Sequence, residues 1–445
     1  MTAPSRATTA PSRATTAPSR AIVPAWDHAA ASGPRHVLRR EHFGALVYDR
    51  ETCQYVPYDA QAAALLLRAP LDERDAVERA FLGALEAEGL VEGGRLRARV
   101  VEDRSAPGRL SAPLTVYLGA TQGCNLACSH CSSDSAPGPL GALDAGLMRR
   151  LFRELVDLGC MQVHVTGGEP LLHPALLEAL DDAFALGLNV LLTTNGTLVD
   201  DALADALAAR PFRCLSVSLD GPDAASHDLV RGPGAFGRAL AGLSRLAARR
   251  PVGVTATYTP ALRGRLGDLV RRCEAAGAAS LTLRPALPAG RALGRPDLLP
   301  SQADFQAATR ELDRLQEAAT IPLFHPPDVP HEATSALLLE RFGCVAGNLV
   351  CSVTPAGEVN PCALLGPTFD AGSLRDHTLH DLWAGGAPFR RLRALEGNQQ
   401  CWSCRHYDHC GGGCRARALA ATGDLEAPDA WCSWAPREDA AVVLP

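Results

Sequence analysis

Cys124-Asn-Leu-Ala-Cys128-Ser-His-Cys131 places three thiols on one short loop, with gaps of three and two residues between them. A thiolate is a soft ligand that selects iron–sulfur clusters, zinc or copper(I). A [4Fe–4S] cluster normally takes four protein ligands, so three from one loop leave one iron open to a small molecule. Taken alone, the loop is also compatible with an incomplete zinc knuckle.

Outward from the loop, residues 114–121 form an apolar, β-rich stretch that runs straight into it. Downstream, a second strand pattern at Met161-Gln-Val-His-Val leads into Thr166-Gly-Gly-Glu-Pro170. Gly167 and Gly168 allow backbone to approach a ligand closely. Glu169 offers a carboxylate to an ammonium in a charge-assisted bond. Strand patterns near 114–120, 161–166, 189–194, 214–219, 252–258 and 280–285 alternate with helical patterns near 144–158, 173–187, 200–209, 235–249 and 262–276. This alternation predicts an α/β fold with a parallel sheet. Right-handed crossovers would curl it into a partial barrel. The cysteine loop and Glu169 then lie at the carboxyl ends of strands, where such sheets bind ligands.

The cysteine spacing followed by Gly-Gly-Glu-Pro resembles the signature of the radical S-adenosylmethionine (SAM) enzymes. The resemblance implies a partial (β/α)6 barrel over about residues 110–300. In that family the open iron binds the amino and carboxylate groups of SAM, and one electron splits SAM into methionine and a 5′-deoxyadenosyl radical. It implies that Gly167, Gly168 and Glu169 hold the SAM amino group. Asn195, from Thr194-Asn195-Gly196, and Ser218, from Ser216-Val-Ser-Leu-Asp-Gly-Pro222, would line the pocket. Ser218 and Arg231 would meet the methionine carboxylate, for which a guanidinium is geometrically suited. His130 stands where the family has an aromatic and would stack on adenine. The general base is not identified.

Eight further cysteines fall between 344 and 432: Cys344, Cys351 and Cys362, then Cys401-Trp-Ser-Cys404, Cys410-Gly-Gly-Gly-Cys414 and Cys432. Closely spaced pairs of this kind also read as zinc sites. Behind the first loop they resemble the SPASM domain, a C-terminal extension of radical SAM enzymes that act on peptides. The resemblance implies two auxiliary [4Fe–4S] clusters, one on Cys344, Cys351, Cys362 and Cys414, the other on Cys401, Cys404, Cys410 and Cys432. With the Cys124, Cys128 and Cys131 cluster, that makes three.

Residues 36–102 read as a separate small unit. A hairpin of 43–48 and 54–58 precedes helices at about 60–68 and 73–88 and a short wing at 89–94. This resembles a winged-helix module similar to the peptide-binding protein of pyrroloquinoline quinone biosynthesis. It implies that a precursor peptide's leader adds as a strand to the sheet edge. The stretch Asp72-Glu-Arg-Asp-Ala-Val-Glu-Arg is mixed to acidic, which disfavours DNA.

Composition narrows the classes further. The chain has 445 residues and a net charge of −6, which gives no reason to expect nucleic acid. All 43 basic residues are arginine, so a lysine Schiff base and a P-loop lysine are excluded. No apolar run approaches the ~20 residues of a membrane span. The clustered cysteines point to a reducing cytoplasm. Residues 1–35, which open with three copies of Thr-Ala-Pro-Ser-Arg-Ala, read as a disordered tail. Residues 301–342 read as a helical bridge and 343–436 as the SPASM domain. The expected activity is oxidative modification of a ribosomally made peptide by hydrogen abstraction, forming a thioether or carbon–carbon crosslink, with a ferredoxin or flavodoxin as electron donor. Rival readings are a sulfatase maturase, a small-molecule radical SAM dehydrogenase and a zinc-binding winged-helix regulator. Ala363 stands where the sulfatase maturases carry an aspartate base.

Overall fold

The computed structural model describes residues 33–68, 76–138, 141–325, 344–395 and 399–433. The N-terminal repeat and residues 326–343, within the expected helical bridge, therefore lie outside the described residues.

The chain begins with β1 (His36–Glu41), β2 (Gly44–Asp49) and β3 (Gln54–Asp59), followed by α1 (Ala60–Leu67) and α2 (Ala76–Ala87). A two-residue ribbon of β4 (Val91–Glu92) and β5 (Arg95–Leu96) leads to β6 (Ala98–Val101). The sheet order is β3-β2-β1-β6, with β6 parallel to β1 and the other pairs antiparallel. Sequence patterning finds the β2–β3 hairpin and both helices but not β1 or β6. The reason is visible in β1: Val37 and Arg39 share one face, and Arg39 is buried there in an ion pair with Glu41 at 2.6 Å. A buried charge pair hides the period-2 signal of a strand covered on both sides.

One face of this sheet, with Leu38, Ala45 and Val47, packs on Leu66, Leu82 and Leu85 of the helices. The opposite face, with Val37, Leu46, Tyr48 and Val101, joins the main core of the protein. The unit is thus not separate in its packing, contrary to the sequence expectation.

The main sheet contains β7 (Thr115–Gly119), β8 (Gln162–Thr166), β9 (Asn189–Thr194), β10 (Cys214–Ser218), β11 (Gly253–Tyr258) and β12 (Ser280–Pro285), parallel and in sequential order. Between them run α3 (Ala145–Asp157), α4 (Leu176–Ala185), α5 (Asp201–Ala208), α6 (Ala224–Arg231), α7 (Ala235–Ala247) and α8 (Leu266–Ala275). Asp144, Asp200 and Asp223 cap α3, α5 and α6 by accepting backbone N–H bonds, which satisfies donors orphaned at a helix start. Leu151, Phe152 and Leu155 of α3 are fully buried, worth about 1.5–3 kcal/mol per side chain. Along β8, Val163 and Val165 are buried while Gln162, His164 and Thr166 are half-buried on the other face. His164 bonds Thr193 at 2.9 Å on that polar face.

The predicted six-stranded parallel sheet is present and is longer than expected. After α9 (Gln302–Leu315), β13 (Leu323–Phe324) extends one edge. At the other edge β14 (Val350–Val353) pairs parallel with β7, and β15 (Val359–Asn360) pairs with β14. Sequence periodicity also misses the short helix α6, an eight-residue segment whose buried residues are Ser226, His227 and Val230.

Candidate metal centre and cofactor site

The three loop cysteines follow β7 at its carboxyl end. Cys124, Leu126, Cys128 and Ala235 form one apolar patch against which Cys131 packs. Burial pushes the Cys128 thiol up to about 11, with the Arg231 guanidinium pulling against it. Cys124 is likewise raised by burial.

Arg291, which no sequence motif singled out, closes this loop. It lies in a short 3-10 helix, Gly290–Gly294, after β12. Its Nε donates to the Cys128 carbonyl at 2.9 Å, Nη1 to Asp134 at 2.8 Å and Nη2 to the Ser135 carbonyl at 2.5 Å. Its backbone N–H donates to the Cys131 carbonyl at 3.0 Å. Gly290 has φ +55°, and a Cβ there would strike the carbonyls of Cys131 and Ser132.

The Gly167-Gly168 pair is needed for a different close approach from the one its sequence suggests. A Cβ on Gly168 would strike the Gly123 carbonyl, and one on Gly167 the Thr121 carbonyl. Gly168 N–H donates to Thr121 at 2.6 Å and Glu169 N–H to Gly123 at 2.9 Å. The glycines therefore press the β8 exit against the β7 exit, bringing Glu169 beside the cysteine loop.

Glu169 is fully buried. Oε1 accepts from Thr194 Oγ1 at 2.6 Å and from Leu171 N–H at 3.1 Å, and Oε2 accepts from Asn195 N–H at 2.7 Å. Burial raises its carboxyl, and these donors pull the other way. A carboxylate has about four acceptor sites, so one remains for an ammonium. Asn195 Nδ2 lies 2.8 Å from Asn125 Oδ1 and 3.9 Å from Cys124 Sγ, linking the glutamate to the loop.

Asp220 is the residue the sequence reading passed over, although Leu-Asp-Gly-Pro directly after β10 marked it. Arg231 Nε donates to its Oδ2 at 2.5 Å, His130 Nε2 lies 2.8 Å from the same oxygen, and Oδ1 accepts from Thr257 N–H at 2.7 Å. Burial alone would raise the Asp220 carboxyl, but Arg231 and His130 hold it well below the usual range. His130 is thus tied by its ring edge to Asp220, a partner that stacking on adenine alone did not anticipate. Arg231, bonded to Asp220 and felt electrostatically by the Cys128 and Cys131 thiols, stays charged despite burial. Ser218 closes β10, buried and in register with Thr255.

In the C-terminal region Cys344, Cys362 and Cys414 pack around one small core. Burial pushes Cys362 up to about 12, with Cys344 and Cys414 adding to it. Burial raises the thiols of Cys410 and Cys432, and the neighbouring Cys401 and Cys404 add to both, which marks these four as a second group. Asp429 Oδ2 accepts the Cys414 N–H at 2.6 Å and both Asp429 oxygens take Arg417. Cys351, expected to complete the first group, does not pack with it. It lies on β14 in register with Val116, fully buried in the main core. Its thiol is pushed far up by burial, with Cys160 as the neighbouring thiol.

Among the described residues no three metal-ligating side chains converge closely enough to hold a single ion. The fit of iron–sulfur clusters rests on the donor chemistry: thiols are grouped, and Arg231 at the loop group and Arg417 at Cys344 and Cys414 favour the thiolate.

A sequence model of the radical SAM superfamily matches residues 119–264, and one of the SPASM iron–sulfur cluster-binding domain matches residues 344–405. The AdoMet-dependent heme synthase of Nitratidesulfovibrio vulgaris (strain Hildenborough) is 30% identical over 363 residues, covering 76% of this chain and 96% of its own length. The mycofactocin maturase MftC of Mycobacterium tuberculosis (strain H37Rv) is 32% identical over 331 residues, covering 73% of this chain and 83% of its own. In three dimensions the chain resembles SuiB of Streptococcus suis bound to S-adenosylmethionine. The TM-score is 0.72 at 18% identity, over 90% of this chain and 99% of that one. SuiB bound to its precursor peptide SuiA gives a TM-score of 0.70. The chain belongs to the radical SAM superfamily, in the branch that carries a SPASM domain. It is a radical SAM enzyme, with SAM and [4Fe–4S] clusters as its cofactors. No helix among the described residues is long and apolar enough to cross a membrane.

Proposed function

We propose that this enzyme oxidatively modifies a ribosomally made precursor peptide, whose leader is held by residues 36–102. The observation that carries the reading is a groove of about 620 Å³ lined by Leu66, Leu67, Leu96, Ala98, Val100, Arg68 and Arg95. β6 is the terminal strand of its sheet, and Ala98 and Val100 point from it into the groove. An extended segment can pair with β6 and seat alternate apolar side chains there. Arg95 suits a leader that also carries acidic residues. The opposite edge, β3, is blunted by Pro57, which has no N–H to donate.

The peptide-modifying names of MftC and SuiB support the reading, and so does coverage. The SuiB likeness leaves out only a tenth of this chain, less than residues 1–102, so it includes part of the N-terminal unit. The heme synthase, matched over nearly its whole length, uses 76% of the chain. That relative favours a small molecule as the second reading.

When bound, the cofactors supply hydrogen-atom abstraction by a 5′-deoxyadenosyl radical. Cys124, Cys128 and Cys131 would anchor the cluster, with Arg291 holding their loop. Glu169 would take the SAM ammonium, with Gly167, Gly168 and Asn195 around it. Arg231 and Ser218 would take the carboxylate, with Asp220 aiming Arg231 and His130. Cys344, Cys362 and Cys414, and Cys401, Cys404, Cys410 and Cys432, would hold the auxiliary clusters. A thioether or carbon–carbon crosslink is a net oxidation, so a redox partner of the ferredoxin or flavodoxin type belongs to the reading.

The test uses the full chain, since removing residues 1–102 would strip Val37, Leu46, Tyr48 and Val101 from the shared core. The probe is a synthetic peptide encoded by a short reading frame sought beside the gene and accepted only if the wild-type enzyme binds it. Val100→Arg should weaken its binding at least tenfold by fluorescence anisotropy and lower modification in proportion. Unchanged affinity would remove the leader reading and leave the small-molecule one.

A further inference from the structure

We infer that the residue modified in the precursor peptide lies at least about ten residues beyond the leader segment that docks on the N-terminal unit. The inference rests on the leader reading above.

The N-terminal unit is fixed to the amino-terminal end of the barrel. Tyr55 Oη donates to the Leu114 carbonyl at 2.9 Å, just before β7, and accepts the Met161 N–H at 3.3 Å, just before β8. Gln162 Nε2 donates to the Cys53 carbonyl at 2.8 Å. Asn189 Nδ2, at the start of β9, donates to Tyr48 Oη at 2.7 Å and to the Arg50 carbonyl at 3.0 Å. Arg99 of β6 donates to the Val156 carbonyl at 2.7 Å, near the end of α3. On the other side, Arg39 donates to the Pro113 carbonyl at 3.2 Å and Glu41 accepts the Ser111 N–H at 2.9 Å. These contacts, with a continuous apolar core behind them, join the unit rigidly to the strand starts.

The SAM site is built at the opposite ends of the same strands. Cys124 follows β7, Glu169 follows β8, Asn195 follows β9 and Ser218 ends β10. Strands of five or six residues separate the two ends by roughly 17–20 Å at about 3.3 Å per residue. At the starts of β7, β8 and β9, next to the docked unit, Tyr48, Tyr55, Gln162 and Asn189 block the direct route with their mutual and backbone hydrogen bonds. The peptide must pass outside, around a helical layer about 10 Å thick. An extended chain covers at most ~3.3–3.6 Å per residue, so roughly 30 Å of path takes about ten residues. Docking and chemistry on one protomer therefore impose a minimum spacing on the substrate.

The test deletes residues one at a time between the leader and the modified position of the adjacent-frame peptide, located by tandem mass spectrometry. Wild-type holoenzyme is used throughout. Binding of each peptide is measured by anisotropy and modification by mass. The expected result is an unchanged Kd across the series, with the modification rate falling at least tenfold once the spacer is shorter than about ten residues. Equal rates at a spacer of four residues, with binding retained, would overturn the spacing and leave the leader reading intact. No binding by the leader portion alone would overturn both.

Discussion

Arg291 donates from Nε to the backbone carbonyl of Cys128 at 2.9 Å, so a residue just beyond β12 holds the middle of the cysteine loop. The same guanidinium reaches Asp134 and Ser135. A hydrogen bond from a charged donor is worth about 1.5–3 kcal/mol. Arg291→Ala should leave the auxiliary clusters in place and make the loop cluster labile. Chelator-driven bleaching of that cluster, followed by EPR, should be about tenfold faster than in the wild type, with Arg291→Lys in between.

Cys351→Ala should keep the iron content of the wild type, about twelve per chain for three four-iron clusters. The loss of a fully buried sulfur should lower stability by about 1–3 kcal/mol. Cys362→Ala should lose roughly four irons by the same count. Iron assay with Mössbauer spectroscopy separates the two, and iron loss in the Cys351 variant would return that residue to the ligand set.

Glu169→Gln turns one acceptor oxygen into a donor amide facing Thr194, Leu171 and Asn195. It also removes the charge offered to the SAM ammonium. A loss of about 1.5–3 kcal/mol corresponds to SAM binding weakened roughly tenfold to a hundredfold, read by equilibrium dialysis of the reconstituted enzyme.

His164 faces the barrel interior, and burial, reinforced by Arg284, lowers it to about 4. Its unfolded value is near 6.5, so between about 6.5 and about 4 the unfolded chain binds the extra proton. This contribution to stability is present above about 6.5 and is lost as pH falls towards 4. His164→Asn should flatten the drop in denaturation midpoint between pH 7 and pH 5. His227, lowered to about 4 chiefly by burial, preserves part of the drop.

The parallel sheet was legible because strand and helix periods alternate cleanly from residue 114 to 285, and the carboxyl-end loops carry their own chemistry in Cys124 and Glu169. What stayed hidden shares one cause: interactions between residues far apart in sequence. β1 is masked by the buried Arg39–Glu41 pair. Arg291 meets Cys128 only after the sheet has curled. Gly168 reads as a ligand glycine until the Gly123 carbonyl is seen against it. Cys351 fits a metal spacing by letter, yet as a strand residue opposite Val116 it points into the core. Counting cysteines cannot distinguish a thiol that faces a cluster from one that fills a hydrophobic slot.

The pairing of Thr115 with Val350 has a consequence for biosynthesis. β7, the strand that delivers the cysteine loop, is complete early in translation, but its second edge is covered only when β14 leaves the ribosome. Until then an unpaired apolar strand is exposed, a template for association with other chains. Such long-range pairing is slow to form. A C-terminal truncation should therefore yield aggregates rather than a smaller working barrel. The nascent chain has reason to need chaperone protection until β14 is made.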